Sequence, residues 1–392
     1  MKYPQLFTLA TILIFSLITS CGKEENTPPV VPKILIEDYS VAEGNSGSKT
    51  AVITVDLSEA TTTEVSFTWS TEDGTAKAGQ DYEALTDQTV IFAPGDVTRT
   101  IQVSILPDNN LELNKYFKIK LSNFQNATST ITSVKVTIEN DDSYTCEKVA
   151  DGYITPATYP DMTLVWSDEF NGTALNTSDW NYELGAGGWG NNELETYTAN
   201  AENSFVKDGY LTIKATKNTY NGDYYSARLT TKGKKEFTYG RIDIRAQLPV
   251  GRGIWPALWM LGGNISSVGW PTCGEIDIME YLGHDPVTTY GTAHYNDGGH
   301  QSKGGHYTVN ASEAFDKQFH VFSIIWQENS IDWYVDYHRY YTVTSSTVNF
   351  EAFTLPQFFI FNVAVGGNWP GNPNASTVFP QSMIVDYVRI FQ

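Results

Sequence analysis

Alternation of apolar and polar residues with a period of two recurs along almost the whole chain beyond residue 33, and it restricts the fold to packed β-sheets. Segments such as Thr50–Asp56, Val65–Trp69, Arg99–Ile105 and Ser133–Ile138 put every second side chain on one face, with Gly, Asp, Asn and Pro between them as turn formers. Long runs with helical spacing do not occur. The chain also lacks a Gly-rich phosphate loop, an HExxH helix motif and a GxSxG elbow, which together argue against doubly wound and barrel α/β enzymes.

At 392 residues the chain is expected to hold two or three units. The pattern over 34–142 suits a small immunoglobulin-like β-sandwich. An irregular connector with Cys146, Pro156 and Pro160 follows over 143–162. The 230 residues from 163 to 392 are too many for another seven-stranded unit and suit a larger jelly-roll sandwich of the concanavalin kind. The fold class is therefore all-β. With 45 acidic against 25 basic residues the net charge is -20, and no Lys/Arg stripe occurs, so a nucleic-acid partner lacks its electrostatic footprint. Nine of the ten tryptophans lie beyond residue 160, which concentrates aromatic surface in the second sandwich.

Residues 1–20 read as a leader peptide, with Lys2 ahead of an apolar stretch, Leu6–Ile18, shorter than the roughly 20 residues a membrane helix needs. The run Leu17-Ile-Thr-Ser-Cys21 resembles a bacterial lipoprotein signal, which implies lipidation at Cys21 and an exported, outer-membrane protein. Lys23-Glu24-Glu25 resembles a signal for display on the cell's outer face. Residues 21–33, charged and Pro-rich, then act as a tether. Once Cys21 is modified, Cys146 and Cys273 form the one possible bridge, and two free thiols are the preferred reading.

The segment 34–142 resembles a Calx-β domain through Val41-Ala-Glu-Gly44, Asp73-Gly-Thr-Ala-Lys-Ala-Gly-Gln-Asp-Tyr82, Leu106-Pro-Asp-Asn-Asn-Leu-Glu112 and Ile138-Glu-Asn-Asp-Asp142. That resemblance implies calcium held by acidic loops, for which Glu43, Asp81, Asp108, Asp141 and Asp142 are available. Lys115 stands where the family commonly has a second glutamate. The module is expected to space or position its neighbour.

The chemistry is concentrated in Gly274-Glu-Ile-Asp-Ile-Met-Glu280. In a regular strand Glu275 and Asp277 share a face, but Met279 then takes the place of the third acid. A β-bulge at Ile278-Met279 absorbs one residue and returns Glu280 to the acidic face. Three clustered carboxyls raise one another's pKa and are kept where a reaction uses them. Retaining glycosidases need such a pair about 5–5.5 Å apart, one carboxyl as nucleophile and one as acid.

This run resembles the signature of glycoside hydrolase family 16, supported by Trp166-Ser-Asp-Glu-Phe170, Gly187-Gly-Trp-Gly-Asn-Asn-Glu-Leu-Glu195, Tyr239-Gly-Arg-Ile-Asp-Ile-Arg245, Gly253-Ile-Trp-Pro-Ala-Leu-Trp-Met260, Thr292-Ala-His294 and Asn362-Val-Ala-Val-Gly-Gly-Asn-Trp-Pro370. The resemblance implies Glu275 as nucleophile, Asp277 as its assistant, Glu280 as acid and base, and His294 bonded to Glu280 or to the leaving sugar. Asn191 and Arg245 match positions that bond sugar hydroxyls, and Trp255, Trp259 and Trp270 are expected to stack on sugar faces. A structural calcium is implied at the backbone of Glu169 and Gly209 and the carboxylate of Asp386. No catalytic cofactor is expected, and His294, His300 and His306 lack the spacing of a zinc site.

The branch implied is the laminarinases, retaining endo-β-1,3-glucanases acting on laminarin as monomers. The same chemistry on mixed-linkage glucan or a red-algal galactan stays open. A glycan-binding lipoprotein without activity is disfavoured by the intact acidic triplet.

Overall fold

The protein is described here by a computed structural model that covers residues 31–109, 112–142 and 146–392. The expected leader, the expected lipidation site Cys21 and most of the expected tether lie outside the described residues. Among the described residues, strands account for nearly all regular structure, and the only α-helix is the short Ile265–Val268 segment.

The first sandwich packs a three-stranded sheet, Ile34–Leu35, Lys49–Leu57 and Thr98–Ile105, on a five-stranded sheet, Tyr39–Ala42, Ser133–Glu139, Lys115–Gln125, Val65–Asp73 and Gln88–Phe92. The period-2 pattern acts as expected: in Lys49–Leu57 the side chains of Ala51, Ile53, Val55 and Leu57 are buried and those between them face outward. Phe67, Trp69, Tyr82 and Phe117 complete a core in which the Tyr82 and Phe117 rings stack at 4.3 Å.

The second sandwich has an outer sheet of ten strands, in which Gly240–Gln247 lies between Gln381–Phe391 and His320–Trp326. Its inner sheet has seven strands, labelled here in chain order: β1 Asn181–Glu183, β2 Arg228–Thr230, β3 Ile254–Gly262, β4 Glu275–Tyr281, β5 Thr288–Asn296, β6 His300–Thr308 and β7 Gln357–Val365. Their spatial order is β1-β2-β7-β3-β4-β5-β6. Leu258, Met260, Ile276, Phe359 and Phe361 point from this sheet into a shared core with Ile242, Ile244, Phe322, Ile324, Trp326 and Trp333 of the outer sheet. The alternate residues of the same strands, Ala257, Trp259, Asn362 and Ala364, line a cleft on the other face.

The connector differs from the irregular linker expected from its sequence. Glu147–Val149 and Gly152–Ile154 form a hairpin whose Tyr153 N–H donates to the Phe319 carbonyl at 3.0 Å. Gly152 is required there, because a Cβ would stand 2.0 Å from the Phe319 oxygen. Farther on, the Tyr159 hydroxyl donates to Asp243 Oδ2 at 2.5 Å and its ring lies 4.6 Å from the Arg241 guanidinium. The connector thereby covers the buried Arg241–Asp243 ion pair (2.9 Å) of the outer sheet. Leu113 of the first sandwich packs beside Tyr159 and Met162, and Lys135 pairs with Glu328 at 3.0 Å, so the two sandwiches meet at a defined joint. Cys146 and Cys273 are both buried and unbridged, as the sequence reading preferred.

A chain beginning at Cys146 should melt close to the full-length second sandwich. One beginning at Thr163 uncovers the Arg241–Asp243 pair and removes the hydroxyl on Asp243, a loss of about 3 kcal/mol or a drop in Tm of roughly 6–12 °C. Scanning calorimetry of the two shortened chains checks this, and equal melting temperatures would show the connector to be dispensable.

Candidate active site

The bulge expected in the acidic strand is present. Asp277 pairs with Trp259 on β3 while Met279 pairs with Leu258, so Ile278 is the extra residue. On the β5 side Asp277 faces Thr292 and Glu280 faces Tyr290, leaving Ile278 and Met279 together opposite Gly291. Both of those side chains enter the core, and Glu275, Asp277 and Glu280 all line the cleft.

Packing from the outer sheet fixes the bulge. At the residue where the register slips, the indole N–H of the fully buried Trp333 donates to the Asp277 carbonyl at 2.8 Å. That indole fits only because residue 291 is glycine, since a Cβ there would stand 2.3 Å from the Trp333 ring. The Glu280 carbonyl accepts from the Thr289 hydroxyl at 3.0 Å. The backbone groups loosened by the bulge are thus satisfied, as buried polar groups must be.

Indole donors hold the outer carboxyls. Trp270 Nε1 donates to Glu275 Oε2 at 2.9 Å, and Trp255 Nε1 donates to Glu280 Oε1 at 3.1 Å. Glu275 and Asp277 hydrogen-bond to each other. Burial, with the Asp277 charge adding to it, pushes Glu275 up to about 8, against the pull of His294, the Trp270 N–H and Arg228. Asp277 is likewise pushed up to about 8 by burial. Glu280 is raised well above the ordinary carboxyl range by burial first and then by the charges of both other acids. The three carboxyls therefore retain protons that separate carboxyls would release, with Glu280 opposed by two neighbouring charges.

The surrounding trough encloses about 630 Å³, within the usual range for a ligand site. Trp189, Asn191, Trp255, Trp259, Trp270 and Trp369 line it together with Glu275 and Glu280. Trp259 Nε1 donates to Asn362 Oδ1 at 2.8 Å, and Asn362 Nδ2 donates to the Tyr197 hydroxyl at 3.1 Å, which fixes the indole's tilt. The three tryptophans expected to meet sugar all reach the cleft, and so does Asn191.

Two expectations need correction. Arg245 lies on the outer sheet, not in the cleft. It is 3% exposed and bonds Asp386 Oδ2 at 2.6 Å, Asp151 Oδ1 at 2.8 Å and the Tyr153 carbonyl at 2.7 Å. Its strand alternates toward the connector, so it positions that segment. The cleft arginine is Arg228 at the start of β2, held by Glu183 at 2.5 Å and set between Trp189 and Trp259, 4.9 and 4.8 Å from their rings. Nothing in the plain run Tyr225-Ser-Ala-Arg-Leu marks it, because only the sheet order brings β2 beside β7.

His294 does not bond Glu280. Its Nε2 lies 3.1 Å from Asp277 Oδ2 and 3.8 Å from Glu275 Oε1, since register places His294 opposite Glu275. Of the groups expected to hold calcium, the backbone of Glu169 and Gly209 and the carboxylate of Asp386, the Asp386 carboxylate already has Arg245 as its cation partner at 2.6 Å.

Residues 191–389 match the family model for Glycosyl hydrolases family 16, and residues 27–145 match that for the Calx-beta domain. The chain is 41% identical over 276 residues to Glucan endo-1,3-beta-glucosidase A1 of Niallia circulans, a match spanning 63% of this chain and 40% of that protein. It is 43% identical over 249 residues to the Beta-glucanase of Rhodothermus marinus, spanning 59% of this chain and 86% of the relative. The laminarinase catalytic domain from Thermotoga maritima MSB8 superposes with a TM-score of 0.54 at 48% identity, covering 59% of this chain and 98% of that domain. The chain thus covers less than half of the first relative's length and nearly all of the solved catalytic domain. From the acidic bulged strand, the indole-lined cleft and these matches together, the chain belongs to glycoside hydrolase family 16, its hydrolase sandwich preceded by a Calx-β domain.

Proposed function

We propose that this chain hydrolyses β-1,3-linked glucan internally and with retention of anomeric configuration. The observation that carries the reading is the bulge, which aims Glu275 and Glu280 into one cleft with Asp277 between them. The relatives named as endo-1,3-β-glucosidase and laminarinase support β-1,3-glucan as the substrate. A trough lined by Trp189, Trp255, Trp259, Trp270 and Trp369 offers apolar faces for the C–H faces of successive glucose rings.

In this reading Glu275 attacks the anomeric carbon while Glu280 gives its proton to the departing glycosidic oxygen, leaving a glycosyl ester on Glu275. Glu280, now a carboxylate, takes a proton from water, which opens the ester. Asp277 keeps the Glu275 carboxylate turned toward the sugar. Its charge also opposes ionisation of Glu280, so the acid still carries its proton when the sugar arrives. Arg228 and Asn191 supply hydrogen bonds to sugar hydroxyls, the role that Arg245 is too remote to fill.

Attachment to the outer membrane through a lipidated Cys21, with display on the cell surface, is also proposed, on the signal-like run that ends at this residue. The enzyme then acts as a monomer at the end of its tether. Calcium is proposed for the Calx-β domain. Glu43, Asp108 and Glu112 present oxygens within 4.8 Å of one another, and the buried Asp142 Oδ2 accepts no hydrogen bond. Burial, reinforced by neighbouring acids, pushes Glu43 up to about 7, and burial pushes Glu112 up to about 8. Lys115 neutralises part of this charge from 2.6 Å on Glu112 and 2.8 Å on Asp81. The remaining set is all hard oxygen, which suits Ca²⁺.

Glu275→Ser should reduce turnover of laminarin by about four orders of magnitude or more, the scale of losing a covalent nucleophile, while oligosaccharide binding persists. Glu280→Ala should lose far less activity on an activated aryl glycoside than on laminarin, and the high-pH limb of kcat/KM should vanish with it, because that limb reports loss of the acid's proton. Near-normal laminarin hydrolysis by Glu275→Ser, or equal losses on both substrates in Glu280→Ala, would overturn the assignment. NMR of the first-formed product reads the anomeric outcome directly.

Calcium titration followed by calorimetry should show one site that Glu43→Gln weakens at least tenfold, about 1.4 kcal/mol. Heat identical in wild type and variant would remove it. Palmitate should label the wild type and not Cys21→Ala, and equal labelling would dismiss the anchor.

A further inference from the structure

No metal site follows from the spacing of His294, His300 and His306, yet the fold brings two carboxyl groups to His294. Register sets it opposite Glu275, and its Nε2 lies 3.8 Å from Glu275 Oε1 and 3.1 Å from Asp277 Oδ2. One ligand atom from each of the three residues lies within 4.8 Å of the other two. Ligands roughly 2.0–2.1 Å from a tetrahedral zinc ion stand about 3.3 Å from one another. The separations of 3.1 and 3.8 Å straddle that value.

The individual oxygens are suitably turned. Trp270 Nε1 holds Glu275 by Oε2 at 2.9 Å, and Oε1 is the oxygen nearer His294. Asp277 is 3% exposed, and its buried Oδ2 accepts no hydrogen bond. A carboxyl oxygen sealed from water in this way is costly unless a proton or a cation meets it. Behind the ring, His300 Nε2 lies 2.8 Å from His294 Nδ1. A metal on Nε2 would leave the ring hydrogen on Nδ1, where His300 is placed to accept it, the outer support that a ligating histidine ordinarily has. His300 is itself packed on the Trp270 indole, with 4.4 Å between ring centres.

The donor set selects the ion. One imidazole nitrogen and two carboxylate oxygens suit zinc and its neighbours in the transition series, whereas calcium takes six or more oxygens. Three protein ligands leave a fourth position for water, and Glu275 and His294 both line the trough through which an ion enters.

We propose that Glu275, Asp277 and His294 form an inhibitory site for a divalent cation of the zinc type. That the ion binds is independent of the glucanase reading; that it inhibits rests on it. On binding, the ion displaces the protons its ligands hold, because a carboxyl or imidazole must be deprotonated to coordinate. It then occupies the carboxylate that attacks the sugar. The anomeric carbon has to approach Glu275 at the same place, so glucan and metal exclude each other.

Zinc chloride titrated into the full chain in a non-chelating buffer, followed by calorimetry, should show a site that His294→Gln and Glu275→Ser each weaken by roughly a hundredfold or more. His300→Phe, which removes only the outer support, should weaken it about 10-fold. Zinc taken up by acidic loops of the Calx-β domain is the same in all three variants and subtracts out. With laminarin, zinc should raise the apparent KM and leave kcat unchanged, EDTA should restore the rate, and calcium chloride at the same concentration should not inhibit. Equal zinc affinity in the wild type and His294→Gln overturns the proposal. So do inhibition that lowers kcat at constant KM, and inhibition by calcium equal to that by zinc. The titration needs no substrate, so its failure stands apart from failure of the glucanase reading, which shows as a metal-free wild type inert toward laminarin.

Discussion

One buried hydrogen bond sustains the reactive geometry. The Trp333 indole reaches from the outer sheet through the core to the Asp277 carbonyl, at the point where β4 gains its extra residue. A bulge costs the strand a ladder bond, and without a replacement donor the register would relax toward strict alternation. Strict alternation puts Glu280 into the core beside Ile276 and Phe361, where a carboxyl cannot be accommodated. The catalytic arrangement therefore depends on a residue more than 50 positions away in sequence and on Gly291, which leaves the indole its space.

Burial of three carboxyls in one cleft opposes stability and serves chemistry. Each is pushed upward in pKa, so the fold retains their protons in a range where the unfolded chain releases them. Between the ordinary carboxyl value and the raised one, rising pH therefore favours the unfolded chain. The surrounding sheet offsets this cost with the shared core of two large sheets, and the indole donors on Glu275 and Glu280 make the charged forms tolerable when the reaction needs them.

The outer sheet contributes to architecture instead of substrate binding. Arg241, Arg245 and Arg389 each meet a carboxylate, and the connector closes over them through Tyr159, Asp151 and Thr155. Their planar, always-charged groups suit such paired and stacked positions. The connector consequently joins the Calx-β domain to the hydrolase by packing as well as by covalent continuity. Lys115 touches Asp161 at 3.4 Å, which brings the acidic end of the first sandwich to the same joint.

Much of this was legible from residues close in sequence. Alternation identified both sandwiches, and one methionine out of phase between acids located the bulge, because side-chain direction along a strand is fixed by the backbone pleat. Cleft tryptophans could be named because they flank the acidic strand on β3 and the loop before it. Arg228 was invisible and Arg245 misleading, because which face of a sheet meets the cleft depends on strand order and on what packs behind. The same holds for His294, whose partner follows from register with β4, and for Trp333, whose role needs two sheets to be stacked. By itself the sequence determined which residues could react, through local spacing and periodicity. Only the tertiary structure decided what each one faces, because that depends on pairings between strands that the chain brings together from far apart.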